Sequence, residues 1–239
     1  MSEWAAKRFW TDTQVAEVEG GFEVRLDGRP VRTPFKSPLH LPTRAVAELL
    51  AGEWEAQSGT IDPNSMPATR MANSAIEKVA PQCAAVIAHL ASYGETDLLC
   101  YRAESPEGLV ALQAEAWDPW LDWARDTYGA ELTTTRGVLP VTQPREAIDA
   151  LTAPMAAMGP FELAAFHDLV SLPGSLILGL AAAAEAAAPE PLWQAARLDE
   201  VWQIEQWGHD DEAEAVNAHK LQAFMDAAVF LRAVRSEAA

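Results

Sequence analysis

Cysteine and basic side chains are scarce in this sequence of 239 residues. The two cysteines, Cys83 and Cys100, form no CxxC pair and lie among apolar residues. They indicate reduced core thiols of a cytosolic type of protein rather than a disulfide framework. Only 17 Lys and Arg residues stand against 35 Asp and Glu residues, which gives a formal net charge of −18. Such a chain repels nucleic acid and anionic lipid, so neither is expected as a partner.

Long hydrophobic runs are also lacking. The most apolar stretch, residues 169–184, contains Pro173 and Gly174 and is shorter than the ~20 residues that a spanning helix needs. It predicts a buried core helix, so no membrane insertion is expected. The N-terminal residues Met1-Ser2-Glu3-Trp4 have neither the basic start of a secretory signal nor the Arg-rich character of an organelle presequence.

The usual catalytic and nucleotide-binding motifs do not occur. None of the five histidines has a second histidine four residues away, and HExxH, GxSxG, Walker and GxGxxG patterns are missing. The run His209-Asp210-Asp211-Glu212 contains metal-binding residue types, but its spacing does not suit a closed site. Acidic residues of this kind are typical of a solvated helix start. The sequence therefore predicts no metal and no cofactor.

The acidic residues are unevenly distributed. Residues 1–70 contain 10 acidic and 8 basic side chains, whereas residues 71–239 contain 25 acidic and 9 basic ones. A charged, solvated surface is the ordinary interpretation of such an excess. The alternative is an acidic face that attracts a basic partner, and the sequence leaves both open.

The first part of the chain has β character. Gly21–Leu26 alternates apolar and polar residues with period two, and the tight-turn dipeptide Asp27-Gly28 follows. Pro30–Thr33 is interpreted as the return strand, and Gln14–Glu19 supplies an earlier one. These segments predict a small antiparallel sheet.

Helical patterns dominate from Thr43, which is expected to cap the first helix. Later helices are expected to start near Pro106, Pro119 and Pro144, and one of them is expected to stop at Gly129. The last two helices are expected around residues 192–207 and 211–235. The sequence thus predicts an α+β fold, with a small β-rich N-terminal domain over residues 1–66 followed by a multi-helical C-terminal domain over residues 67–239.

Tryptophan is abundant, with nine residues in the chain. Trp117, Trp120 and Trp123 are three residues apart and share one helix face. Core packing is the favoured interpretation, because tryptophan buries a large area. The alternative is an exposed anchor for a partner, since tryptophan is enriched in binding hot spots.

The segment from Leu198 to Gly208 carries two partly apolar helix stripes, each with one glutamate. The stripes predict a helix that is covered on more than one side. Glu200 and Glu205 are about 140° apart around it, so they do not share one substrate atom. Each must be paired, exposed to water or reserved for a partner, and Arg102 and Arg125 are the candidate buried partners.

Several motifs in order resemble the assembly-chaperone family of the F-type ATP synthase that attends the alpha subunit. The resemblance covers nearly the whole chain. The motifs run from the N-terminus to the late helix: Lys7-Arg8-Phe9-Trp10, residues 26–34, Glu53-Trp54 with Gln57, Met66-Pro67, residues 96–102, Gln113 with Trp117-Asp118-Pro119, and Leu198-Asp199-Glu200 to Trp207-Gly208.

The resemblance implies a chaperone without chemistry. Members bind the unassembled alpha subunit, prevent its aggregation before it pairs with beta, and use no nucleotide or small-molecule substrate. It also implies a β-rich domain followed by a helical one. Acidic positions in the late motif are linked to function and match Glu200 and Glu205, and Asp199, Trp202 and Trp207 complete the expected partner-binding set. Because a presequence is missing, the resemblance implies a bacterial, cytoplasmic member.

Two other functions remain as alternatives. The first is an enzyme of unfamiliar type, with Glu200, Glu205, Asp97 and Arg102 gathered in an interdomain cleft; it predicts a deep pocket with shifted carboxylates. The second is a carrier of a small molecule or lipid, with tryptophans lining an enclosed cavity.

Overall fold

The computed structural model describes residues 7–137, 139–208 and 210–236. It has an α+β fold, with a small N-terminal sheet followed by many helices, which confirms the predicted fold class. The chain forms two compact units: one of Met1–Cys83, Gly159–Ala165 and Val229–Ala239, the other of Ala84–Met158 and Phe166–Ala228. These are groupings by contact, so the predicted domain boundary at residue 66 stays a prediction.

The sheet of the first unit is antiparallel and has the order β1 (Thr13–Val18), β2 (Gly21–Leu26), β3 (Arg29–Pro30). In β2 the apolar side chains of Phe22, Val24 and Leu26 enter the core, as the period-two pattern predicts, and Glu23 between them is buried as well. Asp27 and Gly28 both have positive φ, 47° and 78°, which is the geometry of a tight hairpin turn. The return strand is shorter than the predicted Pro30–Thr33.

The helices of the first unit start from side-chain caps. Helix α1 (Arg44–Glu55) begins where Thr43 accepts the backbone N–H of Val46, which confirms the predicted cap. Helix α2 (Pro67–Ser74) has proline in its first turn, and its N-terminal N–H groups bind the carboxylate of Glu53. One π-helical segment, Ala75–Val79, continues α2.

Most of the remaining helices belong to the second unit. In chain order the remaining helices are α3 (Cys83–Glu95), α4 (Glu107–Tyr128), α5 (Arg145–Thr152), α6 (Pro160–Ser171), α7 (Leu176–Ala183), α8 (Pro189–Ala196), α9 (Leu198–Trp207) and α10 (Asp211–Arg235), of which the start of α6 and the end of α10 are grouped with the first unit. A short parallel pair, β4 (Tyr101–Arg102) and β5 (Thr135–Arg136), accompanies them.

Two helix predictions were wrong. Pro119 lies inside α4 rather than in the first turn of a helix. The segment 192–207 is not one helix, because the chain leaves helical geometry at Arg197 and α8 and α9 are separate. The predicted stop at Gly129 is confirmed: it caps α4 with φ 71°.

Helix α7 is the centre of the second unit's core. All of its residues are buried. Gly179 allows a close approach, because a Cβ atom there would lie 2.5 Å from Cγ2 of Val170. This helix falls within the most apolar stretch of the sequence and is a core helix, as predicted. Among the described residues, no helix combines the length and apolar character that crossing a bilayer requires.

Two expectations fall on residues outside the described ranges. The N-terminal residues 1–6, where no targeting segment is expected, are not described. His209, the first residue of the His209-Asp210-Asp211-Glu212 run that contains metal-binding residue types, is not described either. The described residues contain no group of three or more His, Cys, Asp or Glu side chains placed to hold a metal ion.

Candidate functional site: the exposed face of helix α9

Helix α9 is only partly covered by the rest of the second unit. None of its residues is fully buried, and Val201 and Trp207 are 49% and 80% exposed. The helix ends at Gly208, whose φ of 94° suits glycine. Trp202 and Ile204 point to nearly opposite sides of the helix and are both half-buried, whereas Val201 and Trp207 reach water, so the predicted cover on more than one side is partial.

The inner side of α9 packs against α4. The carboxylate of Asp199 accepts a hydrogen bond of 2.7 Å from Nε2 of Gln113, which is buried. Oε1 of the same glutamine accepts the backbone N–H of Ala103 at 2.7 Å. The ring of Trp202 lies over Gly108, where an added Cβ would approach Cη2 at 3.2 Å. Asp199 and Trp202 therefore anchor the helix.

Further motif residues form the support beneath this contact. Arg102 makes a 2.7 Å ion pair with Asp118, and its guanidinium lies 5.2 Å from the ring centre of Trp117. Trp117 is buried, and its indole N–H donates to the carbonyl of Ala195 at 2.8 Å. This support links α4 to the end of α8, so these motif residues determine where α9 begins.

The outer side of α9 carries an acid and an indole. Glu200 and Trp207 are seven residues apart, so they lie on nearly the same side of the helix. Glu200 accepts a 2.8 Å hydrogen bond from Arg197 and keeps 45% of its side chain exposed. We call Glu200, Gln203, Ile204 and Trp207 the outer stripe. The prediction that Arg102 or Arg125 pairs with the glutamates of α9 was wrong, because Arg102 pairs with Asp118, and Arg125 pairs with Asp122 and Asp126.

Glu205 lies off the outer stripe. It is exposed and forms no ion pair with any residue that the structure describes. The five expected partner-binding residues thus divide into two groups. Asp199 and Trp202 face the support, whereas Glu200, Glu205 and Trp207 reach solvent.

The carboxylates of the enzyme alternative have separate environments. Asp97 is fully buried and accepts the backbone N–H groups of Leu99 and Ile177, each at 3.1 Å. Burial raises its pKa to about 6, because the charged form loses its hydration. Its hydrogen bonds cap the start of α7. Glu200 instead binds Arg197, so the described contacts assign these acids to different partners rather than to one cleft.

The tryptophans of α4 pack mainly against protein. Trp117 is buried, and Trp120 and Trp123 meet edge to face at 6.2 Å. Two clefts of the second unit, of about 370 and 570 Å³, have walls without tryptophan among the described residues. The arrangement favours core packing over the tryptophan-lined cavity of a carrier.

The N-terminal motifs also have structural roles. Arg8 donates to the carbonyls of Glu55 and Gln57 at 2.6 and 2.8 Å. Trp10 is buried and meets Trp54 edge to face at 5.2 Å. These contacts join the start of the chain to the end of α1, so the motifs organise the first unit.

Sequence reasoning missed Arg197. It binds Glu200 and lies at the break between α8 and α9. The three-residue spacing to Glu200 is that of an ion pair on a helix surface, and this signal could have identified it.

Comparison with known proteins identifies a family. Residues 7–125 match the family described as ATP12 chaperone protein. Protein atp12, mitochondrial, of Schizosaccharomyces pombe is 24% identical in an alignment 228 residues long that covers 90% of this chain and 78% of the relative. The crystal structure of Atp12 from Paracoccus denitrificans is 52% identical, with a TM-score of 0.93, over 98% of this chain and 100% of that one.

A second solved relative agrees. The Atu1473 protein of Agrobacterium tumefaciens is 46% identical, with a TM-score of 0.90, over 94% of this chain and 84% of that chain. Identity near one half over almost the full length leaves little room for a different fold or family. The chain belongs to the ATP12 chaperone family.

Proposed function

We propose that the protein is an assembly chaperone of the F-type ATP synthase that holds the unassembled alpha subunit until beta arrives. Family membership and the order of the motifs support this function. The observation that carries it is the exposed face of α9, where Trp207 is 80% exposed on a helix that is anchored from behind. Tryptophan is enriched among the hot-spot residues of protein interfaces, so an exposed indole on an anchored helix suits a partner contact.

The two groups of residues on α9 have different roles in this proposal. Trp207 inserts into an apolar part of the client surface, while Glu200 and Glu205 engage a cation or backbone N–H groups beside it. Asp199 and Trp202 position the helix through Gln113 and Gly108. All five residues contribute, but only Trp207, Glu200 and Glu205 contact the client.

The mechanism is the covering of a surface. A lone alpha subunit exposes an interface meant for beta, and such surfaces associate wrongly if they stay open. A contact that mixes one indole with carboxylates is partly polar, so it can be displaced when beta binds. No chemical step, nucleotide, cofactor or metal enters this mechanism. The excess of acidic side chains after residue 70 speeds the encounter with a basic client surface.

The proposal also assigns a cellular location and separate roles to two domains. We place the protein in the bacterial cytoplasm, because the client would be synthesised there. The β-rich region up to residue 66 and the helical region from residue 67 are proposed as two domains, of which the helical one carries the client surface.

Binding to purified alpha subunit tests the function directly. Wild type is compared with Trp207→Ala and Glu200→Lys by titration with unassembled alpha subunit. Trp207 buries little in the free protein, so its removal should leave the fold intact and weaken binding about 30-fold or more, the scale of a hot-spot residue.

Glu115→Lys is the matched control. Glu115 is an exposed acid on α4, and it gives the same change of charge outside α9. Binding to Glu115→Lys should stay close to wild type. If wild type binds no alpha subunit, even without beta present, the proposed function is wrong.

A further inference from the structure

A tight turn in the first unit carries an exposed aromatic ring. The backbone N–H of Lys36 donates to the carbonyl of Thr33 at 2.8 Å, and the N–H of Thr33 donates to the carbonyl of Ser37 at 3.1 Å. These bonds close the turn Thr33-Pro34-Phe35-Lys36, in which proline has its favoured second place. We call residues 33–37 the hairpin tip. The side chain of Phe35 is 76% exposed there, so a closed turn presents an apolar ring to water.

A buried side chain fixes the hairpin tip. Thr33 is 3% exposed, and its hydroxyl donates to Glu77 of the π-helical segment and accepts the N–H of Ser37 at 3.0 Å. Lys36 has a φ of 71°, which residues other than glycine rarely adopt. Such conformations persist where the surrounding structure determines them, and they cluster at ligand-binding sites. The tip is therefore preorganised, and a partner that binds it need not order its backbone.

The cations around this ring are not offset by acids. Residues 28–47 contain four Lys and Arg side chains and no Asp or Glu, although the whole chain has a net charge of −18. Nη1 of Arg32 donates to the carbonyl of Lys36 at 3.0 Å, which places the guanidinium beside the turn. Both side chains are exposed, and neither forms an ion pair with a residue that the structure describes. The tip thus combines one apolar ring with two accessible cations.

This combination indicates the chemistry of the partner. Opposite potentials face each other across protein interfaces, so a ring between two cations fits an apolar pocket that carries carboxylates. Nucleic acid and anionic lipid are also negative, but the acidic chain as a whole repels both. A second copy of the chain would bring another net charge of −18 and is repelled for the same reason. A client protein fits best.

We infer that the hairpin tip is a second client contact, at which Phe35 enters an apolar pocket of the unassembled alpha subunit and Arg32 and Lys36 bind carboxylates at its rim. The inference rests on the proposed function. It adds a contact on the β-rich region to the client surface of the helical region. The two contacts have opposite charge, so a client that is turned around meets like charges at both and is rejected.

Phe35→Ser and Lys36→Glu test the two parts of this contact. Both side chains are exposed, so both variants should unfold at the urea concentration of wild type. Each should weaken binding of purified, unassembled alpha subunit about ten-fold, which is about 1.4 kcal/mol. The loss in Lys36→Glu should shrink at about 0.5 M salt because charges are screened, whereas the loss in Phe35→Ser should persist.

Two exposed side chains of the second unit supply matched controls. Arg145 of α5 is 91% exposed, and Arg145→Glu makes the same change of charge away from the hairpin tip. Leu139 is 74% exposed, and Leu139→Ser removes an apolar side chain of similar exposure to Phe35. Both controls should bind alpha subunit like wild type.

The direction of the Lys36→Glu effect is decisive. A general attraction between the acidic chain and a basic client would make an added acid strengthen binding, whereas an acidic pocket makes it weaken binding. Equal or tighter binding by Lys36→Glu, or an unchanged affinity of Phe35→Ser, overturns the inference, while the proposed function stands on wild-type binding and its loss in Trp207→Ala.

Two other results also overturn the inference. An equal loss in the controls would show that the effect is not local. A smaller sedimentation coefficient of free Phe35→Ser than of free wild type would show that the tip binds a second copy of the chain instead. If wild type binds no alpha subunit, the inference and the proposed function both fall.

Discussion

The buried carboxyl group of Asp97 makes the stability of the protein depend on pH in an unusual direction. Asp97 is fully buried, and burial raises its pKa from the ordinary 3.8 to about 6, although Ile177, Ser175 and Leu99 donate hydrogen bonds that oppose the rise. The folded protein therefore holds this proton more tightly than the unfolded chain does, by about 3 kcal/mol.

The sign follows from the two pKa values. The stability contributed by this proton is fully present below the unfolded pKa of 3.8 and is lost as the pH rises through about 6. Between about pH 7 and pH 5, the contribution of Asp97 to the free energy of unfolding should increase by roughly 1 kcal/mol. Asp97→Asn does not titrate, so wild type should gain that amount relative to the variant.

The assay is urea unfolding followed by tryptophan fluorescence at several pH values in that range. Asp149→Asn, at an exposed carboxyl of α5, removes one negative charge without changing the core and serves as the control. Only the change with pH is compared, since the amide also alters the hydrogen bonds at the start of α7. A difference between wild type and Asp97→Asn that stays constant from pH 7 to pH 5 would refute the reasoning.

Four further substitutions test a helix cap and the core packing. Glu53→Ala removes the carboxylate that binds the N-terminus of α2 and should lower the free energy of unfolding by about 2 kcal/mol in urea denaturation, whereas an unchanged value would show that the cap is dispensable. Gly179→Ala places a methyl group against Val170 and should lower the free energy of unfolding by about 1–3 kcal/mol. Gly52→Ala has open space around it and should raise the free energy of unfolding by about 0.5–1 kcal/mol in the same measurement. Equal effects of the two substitutions would contradict the close contact at Gly179. Trp117→Phe leaves the Ala195 carbonyl without its donor and should cost about 2–4 kcal/mol, with a lower thermal midpoint by calorimetry.

Local chemistry made part of the fold predictable. The strand Gly21–Leu26 and its turn follow from alternation and from two residues that accept positive φ. Thr43 and Gly129 mark helix ends because a hydroxyl binds free N–H groups and a glycine accepts left-handed geometry. These signals involve neighbouring residues only, so the sequence contains all the information needed.

The break at Arg197 and the proline inside α4 could not be predicted in this way. No glycine or proline marks residue 197, and its one backbone N–H, shared between the carbonyls of Trp193 and Gln194, closes α8 there. Pro119 carries the usual signal of a helix start, but α4 continues through it. There the packing of Trp117 outweighs the lost hydrogen bond, and packing is not visible in a local pattern.

The candidate site was predicted in its location but not in its organisation. The late motif identified α9, yet the division into anchoring and exposed residues depends on the bond between Gln113 and Asp199, which are 86 positions apart. A sequence shows which carboxylates need partners and does not show which distant amide supplies one. The partner-binding roles of these residues stay predictions.

The support beneath α9 has a consequence for how this surface can change. Asp199 and Trp202 hold the helix from behind, whereas Val201, Glu205 and Trp207 contribute little to the core. Substitutions at the exposed positions can therefore accumulate at small cost to folding. Under the proposed function, recognition and folding draw on different residues of one helix, so the surface could follow a client that changes over evolutionary time, and an engineer could retarget it without rebuilding the scaffold.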